Sequence, residues 1–163
     1  MIEVLSDEKF GKFANFVLMD AKKEIMISTF KAEIPQKNKA IALEDIFKNI
    51  TLAHQRGIKV KALINWHENK RCVPKTNIRA MLEFQRLGIP VRHLKNNRCC
   101  HTKLIIADDL TAIIGSHNLS IKSVTSNFET SVLIIDKDIV KQLKEMFLKT
   151  WNSAKRFEFK TNR

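Results

Sequence analysis

His101-Thr102-Lys103-Leu104-Ile105-Ile106-Ala107-Asp108, with Gly115-Ser116-His117-Asn118 a few residues later, is the stretch whose reading decides the fold. Its middle is a run of aliphatic residues, and a second run, Thr111 to Ser116, begins just past Asp108 and Asp109. Two short apolar segments around an Asp-Asp turn predict a hairpin. Side chains of a strand alternate between two faces, so His101 and Lys103 share one face while Asp108 has the opposite parity. An imidazole and an ammonium therefore stand together at the start of an apolar strand.

Upstream of this hairpin, helical and strand-like patterns alternate. Phe10, Phe13, Ala14, Val17, Leu18 and Ala21 recur at helical spacing after Ser6 and Asp7, which are capping candidates. Glu24 to Phe30 reads as a buried strand, and Lys31 to Lys39, broken by Pro35, as a polar loop. Leu43, Ile46, Phe47, Ile50 and Ala53 mark a second helix that ends at Gly57, followed by a strand from Ile58 to Ile64. A third helix over Thr76 to Leu87 ends at Gly88, and Ile89 to Leu94 forms the next strand. After the hairpin come polar residues Ser120 to Asn127, a strand over Glu129 to Asp136 and a last helix from Asp138 to about Trp151. The pattern predicts an α/β fold: a mixed, mostly parallel central sheet with helices on both faces. With 163 residues, only 4 Gly and 3 Pro, one domain over residues 1–163 is expected.

Charge is the most informative global property. Lys and Arg number 29 against 17 Asp and Glu, a formal net charge of +12, which draws polyanions such as nucleic acid or acidic lipid headgroups. No apolar run is long enough to span a membrane, and the first residues lack a basic stretch leading into an apolar one. The expectation is a cytoplasmic chain. Three cysteines, Cys72, Cys99 and Cys100, make no disulfide framework, and with His67 or His93 they lack the usual paired zinc spacings. No metal and no cofactor is expected.

The His101–Lys103 pair suits attack on a phosphodiester. Such a reaction needs a nucleophile, positive charge on the equatorial oxygens and a proton for the leaving oxygen. Neutral His101 can attack phosphorus, and Lys103 can hold a non-bridging oxygen. Asn118 adds an amide donor, with Ser116 close by, and Gly115 is read as letting backbone approach the anion. Asp108 reads as a supporting residue, bonding backbone or capping the turn. Lys70, Arg71, Lys95, Arg98 and Lys122 are candidates for tracking a phosphate backbone. Trp66 is a candidate for stacking on a base or a rim residue of the core, and His117 either touches substrate or points into the fold.

H-x-K-x4-D followed by G-S-x-N resembles the signature of the phospholipase D superfamily, and the small single-motif chain is similar to its bacterial nuclease-type branch. The order of EIMISTF, RGIKVKALI, LGIPVRHL and the motif hairpin agrees with that family. The resemblance implies a covalent phosphohistidine at His101 and no need of a metal. It also implies a homodimer, because one motif supplies one histidine where two are needed. By the same resemblance Glu129 would orient the attacking or donating histidine. The expected substrate is DNA or RNA. A membrane phospholipid of the cardiolipin type is the alternative, and a nucleic-acid-binding module that does not cut is a third reading.

Overall fold

The computed structural model describes residues 1–6, 8–67, 75–96 and 98–158. Chain order is β1 (Ile2–Ser6), α1 (Glu8–Asp20), β2 (Glu24–Thr29), α2 (Ile41–Gln55), β3 (Lys59–Ile64), α3 (Lys75–Arg86) and β4 (Val91–His93). Then follow β5 (Leu104–Ala107), β6 (Thr111–Gly115), α4 (Ile121–Thr125), β7 (Thr130–Ile135), α5 (Lys137–Ser153) and β8 (Lys155–Arg156). The strands form one sheet in the order β1-β7-β6-β5-β2-β3-β4-β8.

The sheet is mixed and has helices on both faces, as expected, but its parallel share is smaller than the sequence suggested. Among the described residues only β2–β3 and β3–β4 pair in parallel; β5, β6, β7, β1 and β8 all join antiparallel. Crossovers through α2 and α3 build the parallel part, whereas a tight turn joins β5 to β6 and sets that pair antiparallel. Three elements went unread in the sequence. β1 is a short edge strand whose Ile2 and Val4 are exposed, β8 is two residues long, and α4 is a single polar turn or so. None has a long apolar period to announce it. Ser6, a capping candidate for α1, is the last residue of β1, and Asp7 lies outside the described residues.

Strand parity divides the core in two. On one face Ile27, Ile105, Ile113 and Leu133 are paired in register across β2, β5, β6 and β7, beneath α1, α2 and α3. On the other, Met26, Ile106, Ala112 and Ile134 run in the next row and pack against Val140, Phe147 and Trp151 of α5. Gly57 and Gly88, with φ of 86° and 79°, end α2 and α3 in the left-handed conformation that a Cβ disfavours.

Topology also gathers one end of the sheet. β5 is antiparallel to β2, so its first residue, Leu104, sits opposite Ser28 near the carboxyl end of β2. The same end then receives the last residue of β6 and the first of β7, since Gly115 pairs with Ser131. His101 and Lys103 before β5, Ser116 and Asn118 after β6, and Glu129 before β7 are thereby brought to one edge.

Candidate active site

Lys103 and His101 are joined at the start of β5. The Lys103 Nζ lies 3.0 Å from His101 Nδ1 and 3.3 Å from Nε2, and donates to the His101 carbonyl at 2.7 Å. Phe30, just past β2, backs both: its ring centroid is 5.0 Å from that of His101, and the ammonium lies 5.5 Å from it. The imidazole remains exposed. Burial lowers the Lys103 pKa from the ordinary lysine value, although the negative potentials of Cys99 and Glu129 oppose the shift.

Asn118 is held by its oxygen. Its Oδ1 accepts from the Lys31 amide at 3.0 Å and from Thr29 Oγ1 at 3.4 Å, which assigns the amide and turns Nδ2 into the donor end. Pairing of the loops after β2 and β6, through the bridge between Ala32 and Leu119, sets this position. Glu129 is nearly buried, and its carboxylate is satisfied within its own loop region. Oε2 accepts from Ser116 Oγ at 2.5 Å, and Oε1 accepts from Ser123 Oγ at 2.9 Å and Asn127 Nδ2 at 3.0 Å. Burial alone would raise its pKa. The hydrogen bonds from Asn127, Ser116 and Ser123, with the nearby His117, outweigh that and hold it below the ordinary glutamate value. Among the described residues no hydrogen bond runs from Glu129 to His101 of the same chain.

Gly115 and His117 are both placed by packing. A Cβ on Gly115 would collide with the backbone and hydroxyl of Ser131 on β7, so the glycine serves close packing within the sheet rather than access for an anion. His117 is buried at 3 % exposure, stacks on Phe10 at 4.2 Å and has Nδ1 2.8 Å from Ser131 Oγ. Of the two readings open in the sequence the structure shows the inward one, because the chain leaving β6 turns that side chain beneath α1.

Asp108 faces away from the His101 edge. With a φ of 56° it occupies the turn between β5 and β6, and its carboxylate accepts from the amides of Lys22, Lys23 and Glu24 at 2.9, 2.8 and 3.0 Å. Of the loop candidates, Arg98 lines a cleft of about 150 Å³ with His101, Thr102 and the exposed Cys99. Trp66 and Lys95 line a neighbouring cleft of about 200 Å³ with His67 and His93. There Trp66 is set edge-on to His93 at 4.8 Å and Phe157 at 6.4 Å, a rim residue of the core. Lys122 is exposed on α4, next to Ser123. Lys70 and Arg71 lie outside the described residues.

Several site residues escaped sequence reading. Asn65, fully buried after β3, accepts from the Cys100 amide at 3.0 Å and so fixes the backbone one residue before His101. Asn77 on α3 ties this region together, accepting from Ala32 N and donating to the carbonyls of Phe30 and Asn65, each at 2.8 Å. An asparagine at a buried helical position was the available signal. Cys100, buried beside Ser28 Oγ at 3.3 Å, has its thiol pKa pushed up by burial and stays a packing residue.

A family model described as "Cardiolipin synthase, PLD-like domain" matches residues 17–151. The chain belongs to the phospholipase D-like family. This phospholipase D-like chain is 30% identical over 112 residues to cardiolipin synthase A of Pseudomonas putida, a match covering 69% of this chain and 23% of that protein. It thus spans about a quarter of the length of such relatives. Its fold is similar to that of Nuc from Salmonella typhimurium, a phospholipase D family member, with a TM-score of 0.80, 24% identity and coverage of 98% and 100% of the two chains. NucT from Helicobacter pylori matches with a TM-score of 0.74 at 19% identity, covering 96% and 99%. No described helix is long and apolar enough to cross a membrane.

Proposed function

We propose that this phospholipase D-like chain is a phosphodiesterase that hydrolyses DNA or RNA as an endonuclease. The observation that carries the reading is the exposed His101 imidazole with the Lys103 ammonium 3.0 Å away, at the edge where Asn118 offers its Nδ2. The net charge of +12 favours a polyanionic polymer over a small substrate.

In this mechanism an imidazole nitrogen of His101 forms a bond to phosphorus as the bond to the leaving oxygen breaks. The leaving oxygen takes a proton from the partner subunit's His101; water then attacks phosphorus and breaks the bond to His101, giving its proton back to the partner subunit's His101. Lys103 and Asn118 stabilise the charge that develops on the non-bridging oxygens, the work a metal would otherwise do. A homodimer with the site on its two-fold axis supplies the second histidine. Glu129, satisfied by Ser116, Ser123 and Asn127 and not bonded to its own His101, is left to orient the partner subunit's His101.

The cardiolipin synthase relatives support a second reading, in which the same groups act on a phospholipid. Incubation with labelled single-stranded DNA, duplex DNA and RNA in excess EDTA, beside His101→Ala, tests both. Cleavage that survives EDTA and disappears in the variant supports the nuclease. Inertness on all three, with turnover of anionic phospholipid, supports the lipid reading. Binding by both proteins without cleavage would leave a binding module.

A further inference from the structure

Among the described residues the sheet face that carries α5 is covered on one side only. α5 packs on β5, β6 and β7 and brings Trp151 of its last turn against Arg92 of β4, leaving the same face of β3, β4 and β8 beyond it. There the strands floor a cleft of about 580 Å³, bordered by Trp151 and His54.

Register decides the lining. Lys59, Lys61 and Leu63 alternate onto one face of β3, Leu63 pairs with Arg92, and Arg92 pairs with Arg156. Lys59, Lys61, Arg92 and Arg156 all line the cleft, four cations from three adjoining strands. Among the described residues the facing carboxylates are few. Glu24 lies 3.8 Å from Lys61 but is shared with Lys144, and Glu158 lies 3.8 Å from Arg156. Arg92 spends one N–H on the Trp151 carbonyl at 2.7 Å and is stacked over that ring, so its guanidinium is held in place before any ligand arrives. Gathering like charges on strands about 5 Å apart works against stability, and a bound polyanion relieves it.

We propose that this cleft is a second binding surface, separate from the His101 edge, that holds the phosphate backbone of a nucleic-acid strand. In naming the polymer it rests on the nuclease reading. Lys59 pairs with Glu24 at the amino end of β2, whereas His101 sits by Phe30 past its carboxyl end, roughly 20 Å away along the strand. The two surfaces therefore contact different phosphates of one long strand. Lys61 and Arg92 are only partly exposed on the floor of a concavity, where a thin, flexible strand reaches them and a flat bilayer does not.

Binding of a long labelled single-stranded DNA to His101→Ala protein, which leaves the DNA uncut, is measured across salt concentrations with and without Lys59→Gln plus Arg156→Gln. Both added sites are exposed, so the fold tolerates them. The pair is expected to weaken binding about tenfold and to reduce the slope of log affinity against log salt by about 1.4, since each contact to a single strand contributes about 0.7. On the parent chain the same pair is expected to lower cleavage of the long strand relative to a short diester that cannot reach the cleft. Unchanged affinity and slope would overturn the proposal. So would lost binding to anionic phospholipid vesicles with DNA binding intact, or a changed oligomeric state. If the parent chain cuts no nucleic acid, the nuclease reading fails while the binding comparison still decides the cleft.

Discussion

The carboxylate of Asp108 accepts three backbone hydrogen bonds, from Lys22, Lys23 and Glu24, across more than eighty residues of sequence from the turn it occupies. One side chain thereby fastens the β5–β6 turn to the segment entering β2, at the end of the sheet opposite His101. Asp108→Ala is expected to cost about 2 kcal/mol and lower Tm by roughly 4–8 °C while leaving activity per folded molecule near the parent value. Thermal melts and active-site-normalised rates check this. A large loss of activity at unchanged Tm would give Asp108 a role in the chemistry.

Those bonds also set a pH dependence. Burial alone would raise the Asp108 pKa, but the amides of Glu24, Lys22 and Lys23 hold it below the ordinary aspartate value, and Glu129 is likewise depressed. For groups depressed in the folded state, the added stability is fully present above the unfolded pKa values of about 4. It is lost as pH falls through the folded values. Denaturant melts between neutral pH and about pH 3 are expected to show stability declining on the acid side, with a shallower decline in Asp108→Asn.

Lys103 gives a prediction on the alkaline side. Burial lowers its pKa, so the positive charge beside His101 is lost at lower pH than for a surface lysine. Lys103→Met is expected to reduce turnover about a hundredfold or more. In Lys103→Arg, whatever activity remains should extend to higher pH, because a guanidinium does not titrate there. An identical alkaline limb in both proteins would remove Lys103 as its source.

Asn118 separates anchoring from chemistry. Asn118→Asp keeps the oxygen that accepts from Lys31 and Thr29 but replaces the Nδ2 donor with a second, negative oxygen. The expected outcome is a folded protein within about 1 kcal/mol of the parent and turnover lower by about a hundredfold. Near-parent turnover would exclude the amide from contact with the phosphate.

Gly115→Ala tests the packing role found for that glycine. The added methyl meets the Ser131 backbone, so a loss of about 1–3 kcal/mol is expected, visible as a lower Tm in the His101→Ala background as well. A stable Gly115→Ala protein with impaired phosphate binding would favour the reading as an anion approach instead.

The sequence by itself determined the strands and helices with a clear period, the two glycine stops, and the order of His101, Lys103 and Asn118 as candidates, because local patterning and motif spacing are written along the chain; Glu129 was reached only through the family resemblance. Tertiary structure decided the rest. That β5, β6 and β7 join antiparallel, that His117 turns inward onto Phe10, and that Gly115 serves Ser131 all depend on which segments become neighbours. The same is true of Asn65 and Asn77, whose sequence positions are unremarked until folding sets the Asn77 amide on the Asn65 carbonyl and the Asn65 amide oxygen on the Cys100 N–H. The basic cleft has the same origin: Lys59, Lys61, Arg92 and Arg156 are scattered charges until strand pairing puts them on one face, and α5 stops short of covering them.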